Sequence, residues 1–471
     1  MAKEFLKIFD GYNLAREPKI SPQQLVNMYV IKDEKSKTGN SLVPMVGRKK
    51  VIEFDEGDAV RNMYTYRNYM YAVSGNKIYR IDSLLNPALL GTISNSAGFV
   101  SIAENENEII FINGIDGYVF NRISSTFTTI SAAGFPANPQ SVVNFGGYFV
   151  VNDAGSNQFF ISGSNDGLSW NALDFALMQS EPDEITAIAT INNRLFLFGK
   201  KVTEIWYNAG AADFPFRRDN NLLLQYGCKS VGSIAVGYQL MFWLAGSKEG
   251  GISVVVTDGT TPKVISTPAI DYALQQFSDT TNTNSLLYKI DGHIFYELSF
   301  TNEDKTFIYD LTSNIWAQAM ELDKSRSTDN CHAFYNEKHY AGSSTERKIY
   351  EISSDFYSND GENIYYEIIS GHFADPHLRK LRIARVNLDI LAGDELNEND
   401  LPEVFMSFSK DGGRSFSDKK TGSIGKIGQR LYRCIFRRLG SSRDWVFKFE
   451  FFGKTKFMVF NAVVDYEVYG R

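Results

Sequence analysis

One pattern limits what this chain can fold into more than any other. Seven times a polar turn tip leads into a short apolar or aromatic strand, a Gly- or Asn-bearing turn, and a second aromatic strand. The units read NYMYAVSGNKIYRI from Asn68, NEIIFINGIDGYVF from Asn107, GYFVVNDAGSNQFFI from Gly147 and NRLFLFGKKVTEIWY from Asn193. They continue as YQLMFWLAGSKEGGISVVV from Tyr238, GHIFYELSFTNEDKTFIYD from Gly292 and KHYAGSSTERKIYEI from Lys338. Successive tips lie 39, 40, 46, 45, 54 and 46 residues apart, a period that suits a four-stranded propeller blade and is too long for most helical or leucine-rich repeats. One such unit buries a single face poorly, so the units are expected to close on each other radially.

The sequence therefore predicts an all-β chain, a β-propeller of about seven blades followed by a C-terminal β-sandwich, with little helix. Divergence between the units leaves six or eight blades open. Phe 35 and Tyr 25 against Pro 12 agree, because aromatic side chains suit pleated, half-buried surfaces. Residues 1–40 are polar and read as an extended N-terminal arm, whose few apolar anchors Leu25, Val26, Met28 and Tyr29 must order against the propeller or a neighbour. SLVPMVGRKKVIEF (41–54) alternates like a strand and is expected to supply the outer strand of the last blade, within a propeller spanning 41–353. The polar, turn-rich stretch 354–364 reads as a linker. Six alternating segments in 365–471, beginning YYEIISGHF, LRIARVNLDI, EVFMSFSKDGGRSF, QRLYRCIFRRL, WVFKFEFFG and FMVFNAVVDYEVYG, then predict an antiparallel sandwich of jelly-roll type.

Charge is uneven. Residues 365–471 hold 18 Lys+Arg against 14 Asp+Glu, a net +4; subtraction from the totals of 48 and 55 leaves 30 against 41, or −11, for the rest. Neither value approaches the basic excess of a sequence-reading DNA module. Three cysteines, Cys228, Cys331 and Cys434, offer no disulfide framework or zinc spacing. The opening MAKEFLKIFDGYNLAREPKI has no uninterrupted apolar stretch, and no segment reaches the roughly 18 apolar residues of a membrane span, so neither a signal peptide nor a membrane partner is expected.

Candidate chemistry is sparse. SKDGGRSF has the spacing of an Asp box, with Ser409, Asp411, Gly413 and Phe416 in the defining positions, and SNDGLSW (164–170) is a shorter relative. Asp and Gly suit the tip of such a hairpin and the aromatic anchors it, which makes the box structural. A glycosidase would need two opposed carboxylates, and a sialidase an arginine cluster at the propeller axis; no motif singles out a pair, and EPDE (181–184) reads as a solvated loop. The five histidines form no metal motif, and SIGKIGQR (423–430) precedes a strand rather than the helix a phosphate cradle needs. No catalytic residue, cofactor or metal ligand is assigned. The arginines stand out: Arg379, Arg382 and Arg385 about one predicted strand, and Arg430, Arg433, Arg437 and Arg438 about a later one. They read either as a solvated outer face or as a basic contact surface for an acidic protein neighbour or for DNA backbone.

Several blocks carry more than pattern. PQQLVNMYV (22–30), PMVGRKK (44–50), LFLFGKKVTEIWYNAGAADFPF (195–216) running into QYGCKSVGSIAV (225–236), and SKDGGRSFS with GKIGQRLYRCIFRRLG resemble the packaged-DNA stabilisation, or tail-hub, proteins of short-tailed bacteriophages. The resemblance implies a non-enzymatic virion component of the tail, added in the host cytoplasm after DNA packaging. Six copies would form a ring below the portal–adaptor complex, closing or extending the DNA channel. The ring would carry a tail needle or nozzle and tailspikes or fibres, with non-specific contact to packaged DNA. The alternative is a propeller tail protein that binds or cleaves a receptor glycan, distinguished by an arginine or carboxylate cluster at the axis.

Overall fold

The computed structural model describes residues 2–33, 39–181, 183–211, 213–392, 403–425 and 431–469. Among these, the repeat region forms seven sheets, numbered here as blades 1 to 7: residues 60–92, 101–129, 139–177, 185–224, 227–264, 283–318 and 329–353. Helix is confined to Pro268–Gln276 and a single turn at Val231–Ser233.

The blade sequences are apolar on both faces because both faces are buried. In blade 2, Ile109 and Phe111 join Tyr71 and Val73 of blade 1, while Ile110 and Ile112 join Val142 and Val151 of blade 3. The same arrangement recurs around the ring, with one apolar cluster in each gap between neighbouring blades. Alternation with period 2 thus feeds two cores at once. Side-chain amides reinforce the inner edge: Asn62 donates to the Val100 carbonyl (2.7 Å), Asn144 to Glu104 (2.6 Å) and Asn330 to Val60 (2.7 Å).

Gly47–Glu53 pairs antiparallel with Lys348–Ser353 as the fourth strand of blade 7. The inner strand Asp329–Tyr335 of that blade packs on Val60–Tyr66 of blade 1. The final seam is sealed by Cys331, Ala333 and Tyr340 against Met63, Met70 and Ile81. Only the second half of the segment 41–54 lies in the propeller, because Gly39–Pro44 pairs with Met28–Asp33 in the sandwich.

The sandwich has two sheets. One runs Ile364–Ile369, Asp444–Gly453, Glu403–Ser409, Lys420–Ser423; the other places Phe457–Tyr469 beside Lys380–Ala392, followed by Leu431–Ser442. Val386, Leu388, Ile390, Phe447, Phe449 and Trp445 fill the space between them.

The N-terminal segment read as an arm is woven through both domains. Ala2–Phe5 pairs with Phe457–Tyr469. Pro22–Val26 lies parallel to Ile315–Gln318 of blade 6 on one side and antiparallel to Ile364–Ile369 of the sandwich on the other, so one sheet runs from propeller to sandwich. Leu25 and Met28 enter the sandwich core and Tyr29 the seam between blades 6 and 7.

Between them Asn27 adopts the left-handed region, φ +54°, where Asn is tolerated better than most residues. Its Nδ2 donates to the carbonyls of Met320 (2.6 Å) and Tyr365 (2.8 Å), and its Oδ1 accepts from the Met320 amide (3.1 Å). Removing a buried partner costs about 1–3 kcal/mol per orphaned group. Asn27→Ala should therefore lower unfolding free energy by roughly 2–4 kcal/mol in urea titrations, and Asn27→Gly by about 1 kcal/mol less because glycine accepts the dihedral freely.

Candidate functional site

The end of the propeller channel is where a glycan-processing site would lie. A cavity of about 510 Å³ there is lined by Asp58, Arg61, Asn284, Arg326 and Asn330, with Asp58 its one carboxylate among the described residues. Arg61 is buried, and its guanidinium donates to the carbonyls of Gly98 (2.8 Å), Gly75 (3.0 Å), Asn95 (2.9 Å) and Ala97 (2.6 Å). Burial lowers its pKa to about 10. Arg326 is held by the Ser299 and Ser344 hydroxyls (3.3 and 3.2 Å) and the Ser327 carbonyl (3.0 Å). Both cations serve to pin loops across the channel end, and no opposed carboxylate pair accompanies them there. At EPDE, Glu181 pairs with Lys248 (2.5 Å) and Glu184 with Lys200 (2.6 Å), while Pro182 lies outside the described residues.

No grouping of three or more His, Cys, Asp or Glu among the described residues has metal-holding geometry. His332 and His339 meet at 2.9 Å beside Tyr288, and burial pushes His332 down to about 3, so the pair is a neutral packing element. All three cysteines are buried thiols.

The Asp box is a hairpin tip that binds itself. Ser409 Oγ donates to Asp411 (2.6 Å) and accepts from the Gly413 amide (2.8 Å), and Asp411 accepts from the amides of Arg414 (3.1 Å) and Ser415 (3.0 Å). These bonds hold the Asp411 carboxyl well below the usual carboxylate range, the Ser409 hydroxyl first among them. Gly412 and Gly413 both have positive φ, and a Cβ on Gly412 would meet Lys19 at 2.8 Å, so the tip lies against the N-terminal segment. Arg414 completes that contact with Glu17 (2.9 Å), and Phe416 lies under the Lys448 ammonium.

The arginines gather on the solvent face of the sheet containing Lys380–Ala392 and Leu431–Ser442. Arg385 is paired with Asp465 and Arg433 with Asp389 (2.6 Å). Arg379, just outside the strand, grips Asp375 through two bonds (2.8 and 3.0 Å). Arg382, Arg437 and Arg438 are exposed and carry no ion pair among the described residues; Arg430 lies outside the described residues. The face is therefore of mixed charge with free cations at one side. The sequence reading missed the carboxylates, which sit on neighbouring strands, and an apolar row crossing the same face: Phe5, Val463 and Ile435.

A buried ionic knot lies where the N-terminal strand, blade 6 and blade 7 meet. Arg48 bonds Asp329 (2.6 Å) and Glu321 (2.8 Å), and Glu297 lines the same small cavity. Burial, then the nearby Asp329 charge, raises Glu297 to about 8. The unfolded chain ionises this group near 4.3, so from about pH 4.5 to 8 the folded state holds the extra proton and stability falls as pH rises. Glu297→Gln should match wild type near pH 4 and exceed it increasingly up to pH 8 in urea unfolding.

Two family models match the chain: bacteriophage P22 Gp10, β-propeller, over residues 6–357, and bacteriophage P22 Gp10, β-sandwich, over residues 368–467. No curated protein matched. Similar solved structures include the computationally designed Ika8 protein, at 10% identity and TM-score 0.40, covering 65% of this chain and 99% of that one. The WD40 domain of Neurospora crassa Pan2 is 8% identical at TM-score 0.42, covering 63% and 89%. The Myceliophteria thermophila Cps50 (Swd1) β-propeller domain is 8% identical at TM-score 0.42, covering 65% and 99%. At these scores the likeness carries no argument.

Proposed function

Because the chain belongs to the bacteriophage P22 Gp10 family and is a phage structural protein, we propose that it acts in the virion tail as a hub. Six copies form a ring below the portal and its adaptor, and the ring closes or extends the channel so that packaged DNA is retained. Its outer surfaces carry the tail needle or nozzle and the tailspikes or fibres, and it is added from the host cytoplasm at the end of assembly. The observation that carries this reading is the match of both domains, in order, over nearly the whole chain. Two features support it physically. A sheet continuous through Pro22–Val26 joins propeller to sandwich, a connection suited to bearing load. The channel-end arginines are committed to loop carbonyls and hydroxyls, which favours a structural role over glycan recognition.

Particles assembled without this chain should package DNA and then lose it, seen as genome made accessible to nuclease, and purified chain added back should restore retention. Retention equal to wild type in its absence would overturn the hub reading.

A further inference from the structure

Two surfaces on opposite sides of the molecule are complementary. The first is the solvent face of the sandwich. Register places Phe5, Val463, Asn387 and Ile435 in one row across four strands, and Lys3, Asp465, Arg385 and Arg437 in the next. Phe5 is 67% and Ile435 38% exposed, and Arg382 and Arg437, exposed and without an ion pair among the described residues, lie at the side of this apolar row.

The second is the outer edge of blade 3. Residues 123–193 contain no Lys or Arg and six carboxylates; Glu181 and Glu184 pair with Lys248 and Lys200 from outside the stretch, which leaves Asp153, Asp166, Asp174 and Asp183. The edge strand Asp166–Leu177 pairs with no further strand among the described residues, and its Gly167 amide is held by Glu108 of blade 2 (2.7 Å). It bulges at 171–174 and presents Leu173 (81% exposed) and Phe175 (38%) on either side of Asp174, with Asp166 at the start of the strand. The sandwich is attached at blades 6 and 7, and blade 3 stands three positions from each around the ring.

We propose that the sandwich face of one copy docks on the blade 3 edge of the next: Phe5 and Ile435 against Leu173 and Phe175, Arg382 and Arg437 against Asp166 and Asp174. Because the two surfaces differ, the contact is heterologous and head-to-tail, and it gives a ring where the rotation between neighbouring copies closes. The inference rests on the hub reading for the number of copies and for the particle in which they meet. Four strands about 4.8 Å apart with four rows about 6.8 Å apart give a face of roughly 500 Å², below the ~800 Å² per partner of a standard interface. The contact is accordingly weak in dilute solution and formed on the assembling particle, with an electrostatic part that salt screens.

The test uses charge exchange in assembled particles. Arg382→Glu with Arg437→Glu, or Asp166→Lys with Asp174→Lys, should each lower the amount of this chain per particle at least tenfold while leaving the thermal melting of the purified chain within a few degrees of wild type. Joining all four substitutions in one chain should restore incorporation. Independently, Phe5→Cys combined with Leu173→Cys should give cross-linked multimers on mild oxidation of particles, with neither single variant doing so, since Cys228, Cys331 and Cys434 are buried. Normal incorporation of both reversed variants, failure of the exchange to restore it, or no cross-linked multimers from particles that contain the chain would overturn the contact. Particles that never contain the chain would instead refute the hub reading.

Discussion

Everything in this molecule depends on the path of residues 22–53. Within that stretch Pro22–Val26 welds blade 6 to the sandwich, Asn27 turns the chain while bonding both domains, Met28–Asp33 and Gly39–Pro44 extend a sandwich sheet, and Gly47–Glu53 closes the propeller. A ring of blades is closed only when its last blade is complete and packs on the first. Here the strand that completes it comes from a segment that also pairs at the domain junction, so ring closure and domain docking draw on one stretch of chain. The Arg48 knot sits at that point: its guanidinium, buried on the closing strand, must find Glu321 from the connection between blades 6 and 7 and Asp329 from blade 7, and an unpaired charge there would be strongly destabilising.

The repeat body was legible in the sequence because its determinants are local. Tips such as Asn193 and Gly292 have positive φ and mark hairpin turns, and runs such as EIIFI are apolar at successive positions because each face meets a different blade. All six sandwich segments fall on strands, and Lys420–Ser423 is added to them. The weave of the N-terminus was not legible. PQQLV is short and half polar, and its partners lie about 290 and 340 residues away, so nothing nearby in the chain announces the pairing.

The arginine surface shows the same limit from the other side. Counting cations along one strand gave a basic row, but Asp389 and Asp465 reach Arg433 and Arg385 from neighbouring strands, and Phe5 joins the face from the far end of the chain. What remains is an apolar stripe with free cations beside it, a composition suited to a protein contact more than to DNA backbone, which carries no apolar counterpart. At the Asp box the determinants are again local, since its Ser and Asp satisfy backbone amides of their own tip.

The most direct measurement is an electron cryo-microscopy reconstruction of the portal vertex of the virion encoding this chain, computed without imposed symmetry. The account predicts six copies of the propeller and sandwich in a closed ring on the portal–adaptor axis, with DNA density ending at or within the ring. A vertex without this chain, or copies of it elsewhere on the particle with the channel closed by another protein, would contradict it.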